Sequence, residues 1–176
     1  PPPPPMTKGP MKDVKPGVPG EILAEFWRGV PGEKVSDLTS NPSFPRQPTE
    51  SCLLKTFESP SNHDDNYGTV IRGYVHAPAT GEYLFWIASD DSSELWLSTS
   101  DRREQKVKIC GVNGWAGPQQ WEQSPDQKSQ SIRLEAGKKY YIEAVHKEGG
   151  GGDNLAVGWR LPDGTMERPI PGNRIS

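Results

Sequence analysis

The chain has 176 residues, with 20 Lys and Arg against 23 Asp and Glu for a formal charge of −3, and 32% of it is hydrophobic at a mean hydropathy of −0.76. That length suits one domain with a hydrophobic core plus tails. Charges of both signs are interspersed, which leaves no electrostatic footprint for nucleic acid, and no run approaches the ~18 apolar residues of a membrane-spanning helix.

Glycine and proline number 19 each, well above ordinary usage, and this predicts many turns and few long helices. Residues 1–20 carry proline at eight positions and almost nothing apolar. The segment is expected to favour polyproline II and to act as a stiff linker or stalk. It would either pack on a neighbouring copy or module or dock along its own domain. A chain that opens on five prolines without an initiator methionine reads as a segment of something longer.

From Glu21 onward, short apolar runs bounded by turn residues predict an all-β domain over 21–167. Strands are expected over 22–27 and 70–76, then, after a turn at 78–81, over 82–88 as the hairpin partner of 70–76. Both members of that hairpin are apolar enough to be central and covered on two faces. Further strands follow over 94–98, 131–134, 140–146 and 155–161, where alternation such as Tyr140, Ile142 and Ala144 marks one buried face. Seven strands without a helix imply a β-sandwich or barrel. Residues 99–130 form a long polar inter-strand loop carrying Trp115 and Trp121, which serve as packing anchors or as a ligand platform. Residues 168–176 resemble a C-terminal linker.

Cys52 and Cys110 are the only cysteines, without the close pairs of zinc or redox motifs. They form one disulfide or two buried thiols, and features that place the chain outside the cell favour the disulfide. Enzyme signatures are missing: there is no nucleophile elbow, zinc-protease helix or phosphate loop, and His63, His76 and His146 share no ligand spacing. Asp90-Asp91, by contrast, ends the most hydrophobic strand and immediately precedes another. Adjacent carboxylates repel unless a cation or strong donors neutralise them, and oxygen ligands gathered on a loop suit Ca²⁺. A solvated turn such as Asp64-Asp65 is the ordinary alternative. The run Glu148-Gly149-Gly150-Gly151-Gly152-Asp153-Asn154 joins two further strands, and its glycines let carbonyls turn inward.

The run Ile87-Ala88-Ser89-Asp90-Asp91-Ser92-Ser93-Glu94-Leu95-Trp96-Leu97-Ser98, preceded by Gly81-Glu82-Tyr83-Leu84-Phe85, resembles the core signature of PA14 domains. Asp65-Asn66-Tyr67-Gly68 and Arg72-Gly73-Tyr74 upstream, with 134–143 downstream, complete the resemblance over roughly 20–172. It implies a β-sandwich, often described as barrel-like. In the lectin members a pair of aspartates joined by a cis peptide binds Ca²⁺, which in turn coordinates vicinal sugar hydroxyls. That pair corresponds to Asp90 and Asp91. The second loop would contribute Glu148 and the carbonyls of Gly150 and Gly152, the glutamate replacing an amide and adding negative charge. Asp153 and Asn154 at the loop tip, and Trp115 or Trp121, would contact the sugar.

The sequence is thus read as a calcium-dependent carbohydrate-binding module of an extracellular or cell-surface protein, not as an enzyme. The alternative is an assembly module of an extracellular fibre, whose proline-rich tail packs on a neighbouring subunit.

Overall fold

Residues 5–9 and 15–176 are described by the computed structural model, and the polyproline expectation for the rest of the tail lies outside the described residues. The strands are β1 (Thr7–Lys8), β2 (Ile22–Arg28), β3 (Glu50–Leu54), β4 (Tyr67–His76), β5 (Gly81–Asp90), β6 (Ser93–Leu97), β7 (Val107–Val112), β8 (Ile132–Leu134), β9 (Lys139–Glu148), β10 (Asn154–Arg160) and β11 (Met166–Glu167). One short helix, α1 (Val35–Thr39), stands between β2 and β3.

The strands pair antiparallel into a seven-stranded sheet, ordered β1-β3-β2-β4-β9-β6-β7, and a four-stranded sheet, ordered β11-β10-β5-β8. Side chains alternate across each strand, so each sheet turns one apolar row toward the other. Phe26, Ile71, Ile142 and Ala144 from the larger sheet meet Phe85, Ile87, Val157 and Trp159 from the smaller, all without exposed surface. Tyr83 and Phe85 lie against the Trp159 ring, with centroids 5.1 and 5.8 Å away. This is the β-sandwich expected from the sequence.

Its connectivity differs in one respect. β4 pairs with β2 and β9, whereas β5 pairs with β10 and β8, so the expected hairpin between them does not exist. The chain changes sheets there. An apolar row facing a neighbour in the same sheet and one facing the opposite sheet have the same period, and the sequence pattern does not separate them.

The outer faces are also covered. α1 and the segment after it lay Val35, Leu38 and Phe44 over Trp27, Val70 and Val145. On the smaller sheet the cover comes from the expected long loop. That loop first supplies the edge strand β7, whose short Val-Lys-Ile-Cys-Gly-Val pattern is interrupted by glycine. It then returns across β5, where Trp121 packs on Trp86, Ala88 and Ala156. Buried Gln127 donates through Nε2 to the carbonyls of Ile87 (3.0 Å) and Gln120 (2.8 Å).

Both ends of the described chain are tied to the sandwich. β1 adds to the edge of β3, and Gly9 donates to the Thr49 carbonyl at 2.6 Å. The expected linker 168–176 is instead a packed strap. Ile170 and Ile175 are buried, isolated bridges join Pro171 to Thr56 and Ile175 to Val75, and Gly20 donates to the Ile175 carbonyl at 3.0 Å. Isoleucines spaced among prolines carry no strand periodicity, which is why this segment read as a linker.

The Cys52–Cys110 disulfide does not form, and both thiols are free and buried. They occupy β3 and β7, five strand positions apart around the larger sheet. At ~4.8 Å per strand the path is roughly 24 Å, against the ~7 Å limit between bridged Cα atoms. Burial pushes Cys52 to about 11 and Cys110 to about 12, which leaves neither as a reactive thiolate. Without reductant, two thiols should therefore titrate with a disulfide-exchange reagent on denaturation and few before it. Reductant should leave the melting temperature unchanged. Replacing Ile170 with Ala should cost about 2–5 kcal/mol in urea unfolding if the strap is part of the core, where a linker residue would cost about 0.5 kcal/mol or less.

Candidate functional site

Two chain crossings between the sheets occur at the same end of the sandwich. One leaves β5 at Asp90 and enters β6 at Ser93; the other leaves β9 at Glu148 and enters β10 at Asn154. Strand register brings them together: Asp90 lies opposite Asn154, Ser93 opposite His146, and Tyr67 opposite Glu148. Carboxylate oxygens of Asp90, Asp91 and Glu148 consequently lie within 4.8 Å of one another. The Asp90–Asp91 peptide is cis, as the resemblance implied.

These carboxyls are poorly neutralised. Glu148 is 0% exposed and neither of its carboxylate oxygens has a hydrogen-bond partner. Burial first, then the charges of Asp91 and Asp90, pushes it up to about 8. Asp90 is raised to about 6, again chiefly by burial and next by Asp91. Asp91 accepts a hydrogen bond from the Gly149 amide at 2.9 Å. The neighbouring cation does not pair with them, because the ammonium of fully buried Lys147 donates to the carbonyls of Gly32 and Glu148, each at 2.6 Å. His146 offers no charge either. Burial lowers it to about 4, and its Nε2, 2.7 Å from the Asp90 carbonyl, must carry the proton because a carbonyl only accepts.

Hard oxygens in this number, unmatched by donors, suit a hard divalent cation, and Ca²⁺ takes six to eight such ligands. Asn154 adds to the set. Directly opposed antiparallel residues project to one face, and its Oδ1 is buried without a partner while its Nδ2 donates to the Ala116 carbonyl at 3.1 Å. Gly150 and Gly152 are exposed in the connecting loop. Asp90 and Asp91 are only half-buried, so the cluster has a closed floor at Glu148 and an open side at the aspartates.

The expected sugar-contact residues separate into two groups. Trp115 forms an isolated bridge with Asp90 and is 61% exposed; the amide of the next residue, Ala116, donates to the Ser89 carbonyl at 2.8 Å. Its indole therefore stands in solvent beside the carboxylates. Trp121 is buried on the outer face of the smaller sheet, with the Arg168 guanidinium over its ring, and belongs to the packing. Asp153 is also not a surface contact. It is 2% exposed and accepts from the amides of His63 (2.8 Å) and Asp64 (3.2 Å) and from the Tyr67 hydroxyl. Asn154, 6% exposed, lies below the surface as a neighbour of Asp90. Both residues read as loop-tip polar groups in sequence, where the neighbours that consume them are about 40 and 90 residues away.

Sequence reasoning assigns no site role to two supporting loops, although Asp65-Asn66 in one of them carries part of the PA14 resemblance. The segment before β4 braces the glycine loop, with the Asn66 amide on the Gly149 carbonyl (2.7 Å) and Asp65 accepting from the Gly151 amide (3.2 Å). Asp65 is thus more than a solvated turn residue. The segment between β2 and α1 brings Glu33 to the rim, where the Ser92 hydroxyl donates to the Glu33 carbonyl at 2.5 Å.

The PA14 domain family model matches residues 49–173. The chain belongs to the PA14 domain family. It is 35% identical over 147 residues to N-acetyl-beta-glucosaminyl-glycoprotein 4-beta-N-acetylgalactosaminyltransferase 1 of Mus musculus, a match covering 80% of this chain but only 14% of the length of that protein. Among solved structures, the A domain of epithelial adhesin 9 from Candida glabrata, in complex with Galb1-4GlcNAc, aligns with a TM-score of 0.61 at 15% identity, over 99% of this chain and 94% of that one. The PA14 sugar-binding domain of an RTX adhesin aligns with a TM-score of 0.63 at 13% identity, over 90% of this chain and 99% of that one. These structural matches establish a shared PA14 fold.

The raised pKa of Glu148 has a measurable effect on metal-free protein. The folded state holds its proton to about pH 8, whereas an unfolded chain releases it in the ordinary glutamate range near 4.5. Stability linked to this group is therefore full at low pH and lost as pH rises through about 8. His63, His76 and His146 are all lowered from 6.5 and act below that pH. Between pH 6.5 and 8, in chelating buffer, the melting temperature should fall, and Glu148→Gln should flatten the fall.

Proposed function

We propose that this PA14 domain is a calcium-dependent carbohydrate-binding module of an extracellular protein. Asp90, Asp91 and Glu148 would hold the ion, with the carbonyls of Gly150 and Gly152 completing its shell. The observation that carries the reading is the solvent-open side of the carboxylate cluster, flanked by the exposed indole of Trp115. When bound, Ca²⁺ would supply coordination positions for two vicinal sugar hydroxyls. The chain's own part is to orient that ligand. Half-buried Asp90 and Asp91 accept hydrogen bonds from the same hydroxyls, while Trp115 offers an apolar face to the C–H surface of a pyranose ring. Buried Glu148, out of reach of a sugar, neutralises the ion from below. Two proteins of the same fold, an adhesin domain in complex with Galb1-4GlcNAc and the sugar-binding domain of an RTX adhesin, support this reading. No catalytic role is assigned to the chain.

Calorimetric titration of chelator-stripped protein with Ca²⁺, followed by a panel of glycans, tests the proposal. Saturable Ca²⁺ binding should be lost in Asp91→Asn, and glycan binding with it. Trp115→Ala should leave Ca²⁺ affinity intact and weaken glycan binding about tenfold, the equivalent of about 1.4 kcal/mol. Failure of the wild-type protein to bind Ca²⁺ would overturn the reading.

A further inference from the structure

The segment joining β2 to α1 is held against the candidate site by three independent contacts. Lys147, buried beneath the cluster, donates to the Gly32 carbonyl at 2.6 Å. Ser92, next to Asp91, donates to the Glu33 carbonyl at 2.5 Å. The Val30 amide donates to the Asn66 carbonyl at 2.8 Å, tying the segment to the loop that braces the glycine run. Gly32 adopts φ +100°, and Asp37 caps the Lys34 amide at 3.0 Å, so the backbone path is closely defined.

What this segment presents to the site is Glu33. A Cβ on Gly149 would lie 2.7 Å from Glu33 Cγ and 3.4 Å from Asp91 Oδ2, so both acidic side chains converge on the glycine loop. Glu33 is exposed, unlike Glu148. Acidic residues alone do not make a ligand site, but here the unpartnered, fully buried oxygens of Glu148 mark the same place independently.

We propose that Glu33 is a specificity-determining residue, the third wall of the ligand site beside Asp91 and Trp115, and that it restricts the ligand to uncharged saccharides. The proposal rests on the carbohydrate-binding reading above. A carboxylate only accepts hydrogen bonds, so Glu33 receives a sugar hydroxyl. A divalent ion and the Lys147 ammonium balance the three cluster carboxylates, so Glu33 leaves the site with net negative charge on the solvent side. A carboxylate or sulfate on the bound sugar would approach this negative field and be rejected.

The test uses Ca²⁺-loaded protein on an array of neutral glycans, each paired with its sialylated or sulfated derivative, with Ca²⁺ affinity measured separately by calorimetry. Wild-type protein should bind neutral members at least about tenfold more tightly than their acidic partners, and raised salt should narrow the gap. Glu33→Gln should bring the ratio toward one and Glu33→Lys should reverse it, with Ca²⁺ affinity unchanged in both. Equal binding of acidic partners by wild type, or an unchanged ratio in both variants, overturns the assignment while leaving the carbohydrate-binding reading standing. Loss of Ca²⁺ affinity in Glu33→Gln also overturns it, by making Glu33 an ion ligand. Ca²⁺ binding with no glycan recognised overturns the underlying reading and this inference together.

Discussion

A glutamate side chain sealed from solvent, with no donor for either oxygen and two aspartates beside it, is the constraint around which one end of this sandwich is arranged. Burying an ionised carboxyl without a partner is costly, and the protein's response is partial. Glu148 and Asp90 retain protons well above their ordinary range. The neighbouring ammonium of Lys147 is committed to backbone carbonyls. His146 stays neutral and supports the Asp90 carbonyl. Lys147 and His146 both turn to backbone carbonyls and away from the carboxylates, so two separate groups leave the cluster short of positive charge. Perturbed carboxyls gathered in this way are a mark of functional sites.

The surrounding loops support the same geometry. Asp153 gathers the amides of His63 and Asp64 and the Tyr67 hydroxyl, fastening the segment before β4 to the start of β10. That segment in turn holds the glycine loop through Asn66 and Asp65. The glycine loop returns a hydrogen bond to Asp91. A closed circuit of this sort restricts each carboxylate more than any single contact would, and preorganisation reduces the ordering cost that binding would otherwise carry.

The sequence made the strands legible because their period is local, and it made the aspartate pair legible because adjacency itself raises an electrostatic question. Glu148 was found through its place in a glycine-rich connection and the family resemblance, not through any local rule. Long-range pairing was hidden. Asp153 and Asn154 look like solvent-facing turn residues until the partners that bury them are known, and Trp121 looks like Trp115 until the sheet beneath it is seen. Glu33 carries no signal in the sequence, since a contact that holds its segment comes from Lys147, 115 residues beyond Gly32. The strap at 168–176 was misread because its buried isoleucines are separated by turn-forming residues. The shared limitation is that local periodicity reports which face is buried, and only topology reports what buries it.

The hydrogen bond from Gly20 to Ile175 holds the approach to β2 beside the C-terminal strap. The strap pairs with Val75, toward the far end of β4, while Tyr67 at the other end of that strand borders the carboxylates. The eight residue steps between them, at ~3.3 Å each, put roughly 26 Å between strap and site. The strap and the acidic cluster thus stand at opposite ends of the sandwich, so fraying of the strap would leave the carboxylate geometry intact.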